Sequence, residues 1–284
     1  MSGMVVLAGH DLHKNFGLTP ALRGADVSLH DGEVLAVMGP SGSGKSTLLH
    51  CLAGILTPDS GVVTFDGQRI DSLGDRRRSR LRRMVFGFVF QFGQLVPELP
   101  VVENIALPLL LGGHGRRASL AAARDWLPRL GLDGLDDRLP GELSGGQGQR
   151  VAVARALIAG PRVVFADEPT GALDSVAADH VMDVLTDEVK AQGGCMVIVT
   201  HEPRVAAYAD RTVIVRDGVV VDPEAGDTEA DDGGEAGPGA PVAAISTLRS
   251  LGWSARDVLD GPPPRVPSPE KQPPEQGAPD EEPG

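Results

Sequence analysis

Apolar residues along the chain follow two rhythms. Short, nearly unbroken apolar runs occur in "EVLAVMG" (33–39), "RVVFADEP" (162–169), "GCMVIVTHEP" (194–203) and "DRTVIVRDGVVV" (210–221). Runs of that length, bounded by polar and turn residues, predict buried strands. Two more strand-like runs, "MVVLAG" (4–9) and "ADVSLHDG" (25–32), flank the turn-rich "HKNFGLTPALRG". "GVVTFDGQRI" reads as a strand, a turn at Asp66-Gly67 and a strand edge. The second rhythm is helical. Leu48, Leu49, Leu52 and Ile55 share one face of "KSTLLHCLAGIL", and "RASLAAARDWLPRL" and "GQGQRVAVARALIAG" carry the same period. Residues 92–160 read as mostly helical. Strands alternating with helices predict an α/β fold around a mostly parallel sheet.

The patterning stops near Val221. Residues 222–284 are dominated by Pro, Gly, Asp and Glu, which cannot bury enough apolar surface to offset chain entropy, so a disordered tail is expected. Within it Ile245, Leu248, Leu251, Val258 and Leu259 are spaced for one short amphipathic helix over 243–259. Transient structure in a tail and a docked or partner-binding helix both fit that segment.

Charge sharpens this division. The 284 residues carry a formal net charge of −13, and the residues from 221 onward hold 14 acidic and 4 basic side chains, or −10 of it. An acidic chain of this kind is not expected to coat nucleic acid. The basic run 75–83, "DRRRSRLRR", stands out against that background. It fits either a solvated helix face or a contact with membrane headgroups or an acidic partner loop. Cys51 and Cys195 both fall in apolar surroundings and read as buried thiols, not a disulfide. No apolar run approaches the roughly 18 residues of a membrane span, and the N-terminus lacks the pattern of a signal peptide. A cytoplasmic location is expected.

The chemistry begins at "MGPSGSGKSTLL". Gly39, Gly44, Lys45 and Ser46 fit G-x-x-x-x-G-K-[ST], between an expected strand and an expected helix. In the loop Gly39, Pro40, Ser41, Gly42, Ser43 and Gly44, the glycines let backbone N–H groups turn inward as an anion nest. Lys45, Ser46 and Thr47 then open a helix whose N-terminus favours negative charge. In such loops the lysine reaches the β- and γ-phosphates and the Ser46 hydroxyl ligates Mg²⁺. A second carboxylate element follows at the end of an expected strand. Asp167 is placed to hold Mg²⁺ through water, and Glu168 to act as general base for an attacking water.

"LSGGQGQRVAVARAL" supplies a second phosphate-binding signal. Ser144, Gly145, Gly146 and Gln147 precede or open a long helix, where free N–H groups and the dipole suit an anion. Beside a complete phosphate loop, "LSGGQ" resembles the signature of the ATP-binding cassette family, over about residues 4–221. The resemblance implies a P-loop NTPase core with a mixed, mostly parallel sheet, an antiparallel β subdomain and a helical signature subdomain over about 92–160. It implies ATP and Mg²⁺ as ligands. It implies a homodimer in which the signature of one subunit caps ATP on the phosphate loop of the other. Residue by residue, Phe16 matches the aromatic that stacks on adenine. Gln91 matches the glutamine that senses Mg²⁺ and the attacking water. Asp174 matches the loop aspartate that contacts the opposite subunit, and His201 the switch histidine at the γ-phosphate. Gly148 departs from the common glutamine, and a looser first helical turn is expected there.

"FVFQFGQLVPELPVVENIALPLLLGG" narrows the resemblance to the branch of macrolide exporters and lipoprotein-releasing complexes, through Gln91, Phe92, Leu95, Pro97, Glu103, Asn104, Pro108 and Leu109. Pro100 stands where threonine is common. The branch implies a separately encoded transmembrane permease and peripheral attachment at the cytoplasmic face of the membrane. Three functions fit: the ATPase subunit of a membrane transporter, a cell-envelope or cell-division signalling ATPase that moves no substrate, and a soluble ATPase of DNA repair or translation. Against the third, the chain has one cassette and no long coiled coil.

Overall fold

The structure, a computed structural model, describes residues 4–91, 94–171 and 173–222. The proposed tail helix over 243–259 and Phe92 lie outside the described residues.

Two long strands, β1 (Val5–Phe16) and β2 (Thr19–His30), form the first hairpin. They take in the segment "HKNFGLTPALRG" that the sequence marks as turn-rich; only Gly17 and Leu18 remain as the turn. Cross-strand pairing from Val5 with His30 to Phe16 with Thr19 overrides the local turn preference, with bulges absorbing the irregular residues. β3 (Val34–Met38) leads into the phosphate loop and α1 (Lys45–Leu52). β4 (Ser60–Phe65) and β5 (Gln68–Arg69) follow, joined at Asp66 and Gly67, which both have positive φ as a tight two-residue hairpin requires. β1, β2, β4 and β5 make an antiparallel sheet in the order β2-β1-β4-β5.

The basic helix α2 (Asp75–Met84) precedes β6 (Phe86–Val89). Next come α3 (Val101–Leu111), α4 (Arg116–Trp126) and the signature helix α5 (Gly145–Leu157). The chain returns to the sheet as β7 (Val163–Asp167), α6 (Ser175–Ala191), β8 (Cys195–Val199), the short α7 (Pro203–Ala206), β9 (Arg211–Arg216) and β10 (Val219–Val221). The second sheet runs β10-β9-β3-β8-β7-β6, parallel throughout except for the β9–β10 edge. This is the mixed, mostly parallel P-loop NTPase arrangement.

The apolar runs explain why this sheet is central. Both faces of each inner strand are covered, so no polar alternation survives. The side chains still alternate between two cores. Leu35, Val37, Val163, Phe165, Cys195, Val197 and Val199 face α1 and the antiparallel sheet. Val34, Val164, Ala166, Met196 and Ile198 face α3, α5 and α6. Phe86 joins the first core edge-on, with ring centroids 5.3 Å from Phe65 and 5.2 Å from Phe165. Both cysteines are buried and free, and burial pushes the Cys51 thiol up to about 11.

Because β3, β8, β7 and β6 are parallel neighbours, their carboxyl ends lie along one edge. The phosphate loop leaves β3, Thr200 and His201 leave β8, Asp167 and Glu168 close β7, and Gln91 follows β6. Parallel α/β sheets bind ligands at that edge.

Candidate functional site

The phosphate loop is shaped by close approach. At Gly39 (φ 147°) an added Cβ would sit 2.2 Å from the Val215 carbonyl oxygen. At Gly44 (φ 108°) it would sit 2.3 Å from that of Ala21. Neither position accommodates a side chain, so glycine is required for β9 and β2 to pack against the loop. Lys45 is buried, and its Nζ donates to the carbonyl oxygens of Gly39 (2.9 Å) and Pro40 (2.8 Å). The lysine thus lies back over the loop it closes. Ser43 Oγ is buried with no hydrogen-bond partner among the described residues. An orphaned hydroxyl beside a buried ammonium and a helix N-terminus suits a bound phosphate.

Ser46 and Asp167, 121 residues apart, meet: Ser46 Oγ donates to Asp167 Oδ1 at 3.3 Å. Burial raises the Asp167 carboxyl above the usual carboxylate range, partly offset by the Ser46 hydrogen bond. A desolvated carboxylate beside a hydroxyl, with no arginine or lysine bonded to it among the described residues, is a donor set that fits Mg²⁺.

Glu168 adopts φ 47°, the left-handed region that a non-glycine residue seldom occupies. Its amide donates to the Val199 carbonyl (2.9 Å) and its own carbonyl accepts from Gly171 N (3.2 Å), so the neighbouring strand and the next turn hold the kink. The carboxylate then turns toward β8. Thr200 Oγ1 donates to Oε2 at 3.3 Å, and His201 Nδ1 lies 2.7 Å from Oε1. That hydrogen bond and the charge of Glu168 raise His201 above its ordinary value. A Cβ at Gly171 would stand 3.6 Å from both Gln91 Nε2 and the Glu168 carbonyl, so Gln91 reaches the turn that follows Glu168.

The remaining expected residues occupy the periphery. Phe16, at the tip of the first hairpin, is 52% exposed, so it is available for stacking instead of serving as core. Ser144 caps α5: its Oγ accepts from Gln147 N (3.2 Å), and Gln147 Oε1 accepts from Ser144 N (2.9 Å). This capping box secures the first turn, and Gly148 N still donates to Ser144 O at 2.9 Å. The first turn is thus closed with Gly148 in it. Gly145 and Gly146 are the first residues of α5. Asp174 caps α6, accepting from Val176 N (3.1 Å) and Ala177 N (2.9 Å).

The sequence reading missed several supports. Asp59 pins the hairpin tip beside Phe16, accepting from Lys14 Nζ (2.8 Å), Asn15 N (2.7 Å) and Asn15 Nδ2 (3.3 Å). The buried Asn104 side chain bonds Val96 N, Val96 O and Leu99 O, fixing the loop after Gln91 where Pro100, lacking a side-chain oxygen, provides no cap for α3. Thr200 supports Glu168. Gln149, on the apolar face of α5, bonds two loops at once. A polar residue on an otherwise apolar helical stripe was the available signal for Asn104 and Gln149.

A phosphate loop, a strand-end Asp-Glu pair, a histidine from the neighbouring strand and a capped "LSGGQ" helix now stand in one fold. The profile of the ABC transporter family matches residues 22–171. The chain belongs to the ABC transporter family. It is 42% identical over 216 residues to the lipoprotein-releasing system ATP-binding protein LolD of Cytophaga hutchinsonii, covering 76% of this chain and 99% of LolD. It is 45% identical over 226 residues to the macrolide export ATP-binding/permease protein MacB 1/2 of Paracoccus denitrificans, covering 79% of this chain but 34% of that longer protein. Among solved structures, the ATP-binding cassette MJ0796, a dimer in a post-hydrolysis state bound to ADP and Pi, superposes with a TM-score of 0.71. That match has 35% identity and covers 75% of this chain and 96% of the cassette. At the start of α5 the hydrogen bonds of Ser144 and Gln147 run to each other, and Ser144 and Gly145 are exposed.

Proposed function

We propose that this chain is the ATP-hydrolysing subunit of a membrane ABC transporter of the lipoprotein-releasing and macrolide-exporting kind. It dimerises around two ATP molecules and drives a separate transmembrane permease that moves substrate outward. The observation that carries this is the convergence of Lys45, Ser46, Asp167, Glu168, His201 and Gln91 at the carboxyl edge of one sheet.

Residues 39–47 hold the phosphates of ATP, with the Lys45 ammonium exchanging loop carbonyls for the β- and γ-phosphates. Phe16 stacks on adenine. Ser46, Gln91 and Asp167 would hold Mg²⁺, which would supply neutralising charge to the phosphates. Glu168 accepts a proton from the attacking water, and Thr200 and His201 orient its carboxylate. His201 also meets the γ-phosphate. Ser144, Gly145, Gly146 and Gln147 of one subunit cap ATP on the other, and Asp174 lies at the dimer contact.

The permease docks beside the catalytic edge. A groove of about 460 Å³ opens between α2, β6 and α3, lined by Ile55, Arg83, Phe88, Leu107, Leu111 and Arg155. Its mainly apolar lining, with arginines among it, suits an amphipathic segment from a membrane subunit. Among the described residues no helix is long and apolar enough to cross a membrane, which accords with peripheral attachment at the cytoplasmic face through that partner.

The test is twofold. The purified chain is assayed for Mg²⁺-dependent ATP hydrolysis, and the tagged chain is isolated from membranes. The expected results are turnover that EDTA abolishes and co-purification of one multi-span membrane protein. A folded chain that binds ATP without turning it over, or that brings down no membrane protein, overturns the proposal.

A further inference from the structure

Gln149 lies on α5, in the signature helix, yet it belongs to neither phosphate-binding element. It is 1% exposed. Its Nε2 donates to the Pro169 carbonyl at 2.7 Å and to the Phe90 carbonyl at 3.3 Å. Phe90 is the residue before Gln91, and Pro169 the residue after Glu168. One side-chain amide thus ties together the two loops that carry the metal-sensing glutamine and the general base.

The surroundings argue against a packing role alone. Gln149 Oε1 is buried without a hydrogen-bond partner among the described residues, an arrangement that generally costs about 1–3 kcal/mol. A leucine would fill similar space without that cost. The two carbonyls also fix the amide orientation, because only the NH₂ end can donate to both. Proline at 169 removes the backbone N–H there, and Glu168 before it holds left-handed φ. A strained turn of this kind keeps its shape only where its surroundings determine it.

We propose that Gln149 is a positioning residue for ATP hydrolysis. It holds the Gln91 loop and the Glu168 loop at a fixed separation and links both to the helix whose N-terminus caps nucleotide on the partner subunit. The inference rests on the ATPase reading above. Movement of α5 when the dimer closes then reaches the catalytic carboxylate through one hydrogen-bonded amide.

The test is Gln149→Leu in the full chain, with wild type in parallel. Turnover is expected to fall about tenfold or more, while ATP affinity, measured by nucleotide titration, stays within about twofold. Amide hydrogen exchange, which needs no turnover, is expected to quicken in residues 90–96 and 168–174 together and to stay unchanged in α1. Gln149→Met gives the same readouts should leucine lower the folded fraction. Unchanged exchange in both loops overturns the inference, whether or not the wild-type chain hydrolyses ATP. So does a loss of turnover that tracks a loss of ATP affinity and of melting temperature, the pattern of a merely structural residue.

Discussion

His201 Nδ1 lies 2.7 Å from Glu168 Oε1, joining the ends of two neighbouring parallel strands. The hydrogen bond and the carboxylate charge both favour the imidazolium, so His201 is raised from the ordinary 6.5. In the nucleotide-free protein, NMR titration of the histidine ring should show His201 still charged where exposed histidines have lost their proton. Glu168→Gln should return it toward the ordinary value. The raised folded value sets the sign for stability. The contribution of the pair is fully present below the unfolded-state value and is lost as pH rises through the folded one. His201 is largely exposed, so solvent keeps that contribution small.

Glu168→Gln keeps the size of the side chain and removes its capacity to accept a proton. Hydrolysis is expected to fall by roughly 10²-fold or more while ATP binding survives. Bound ATP should then accumulate in a dimer that does not open. Light scattering should show a monomer-to-dimer shift with Mg-ATP and none with ADP. Wild-type turnover in this variant would remove Glu168 from the general-base role.

Lys45→Ala removes the one ammonium that the loop carbonyls of Gly39 and Pro40 hold in place. It should abolish hydrolysis and weaken nucleotide binding. Ser144→Arg should block the capping surface instead. Mixed together, the two inactive chains form dimers with one intact composite site, and part of the turnover should return. Mixed dimers that bind ATP and hydrolyse none contradict simple capping in trans.

Asp174→Ala separates two roles of one carboxylate. Loss of the N-cap bonds to Val176 N and Ala177 N typically costs about 1 kcal/mol and should lower the melting temperature by roughly 2–4 °C. Asp174→Asn restores the cap without the charge. If Asp174 also meets the opposite subunit, the asparagine variant recovers the melting temperature and still weakens the ATP-bound dimer of the Glu168→Gln background, as light scattering would read. A dimer unaffected by either substitution leaves the residue with the cap alone.

Much of this architecture was legible along the chain because the signals are local. A continuous apolar run marks a strand covered on both faces, and the turn at Asp66-Gly67 needs the positive φ that its residues permit. The phosphate loop is legible for the same reason. Gly39, Gly44, Lys45 and Ser46 are adjacent in sequence, and their chemistry depends on a strand, a turn and a helix in direct succession. The length of the first hairpin was not legible. Pro20, Gly17 and Gly24 signal turns locally, and only the pairing of β1 with β2, and of β1 with β4, shows that most of the segment is strand.

The sequence by itself determined the element types, the phosphate loop, the strand-end acids and the signature that identifies the family. Tertiary structure alone decided how residues from four strands form one site. Strand order places β8 between β3 and β7, so His201 reaches Glu168 and Ser46 reaches Asp167 across long sequence separations. It also decided what Gln149 and Asn104 do. A buried amide takes its function from the carbonyls around it, and those carbonyls come from loops that only the packing of α3 and α5 against the sheet brings within hydrogen-bonding distance.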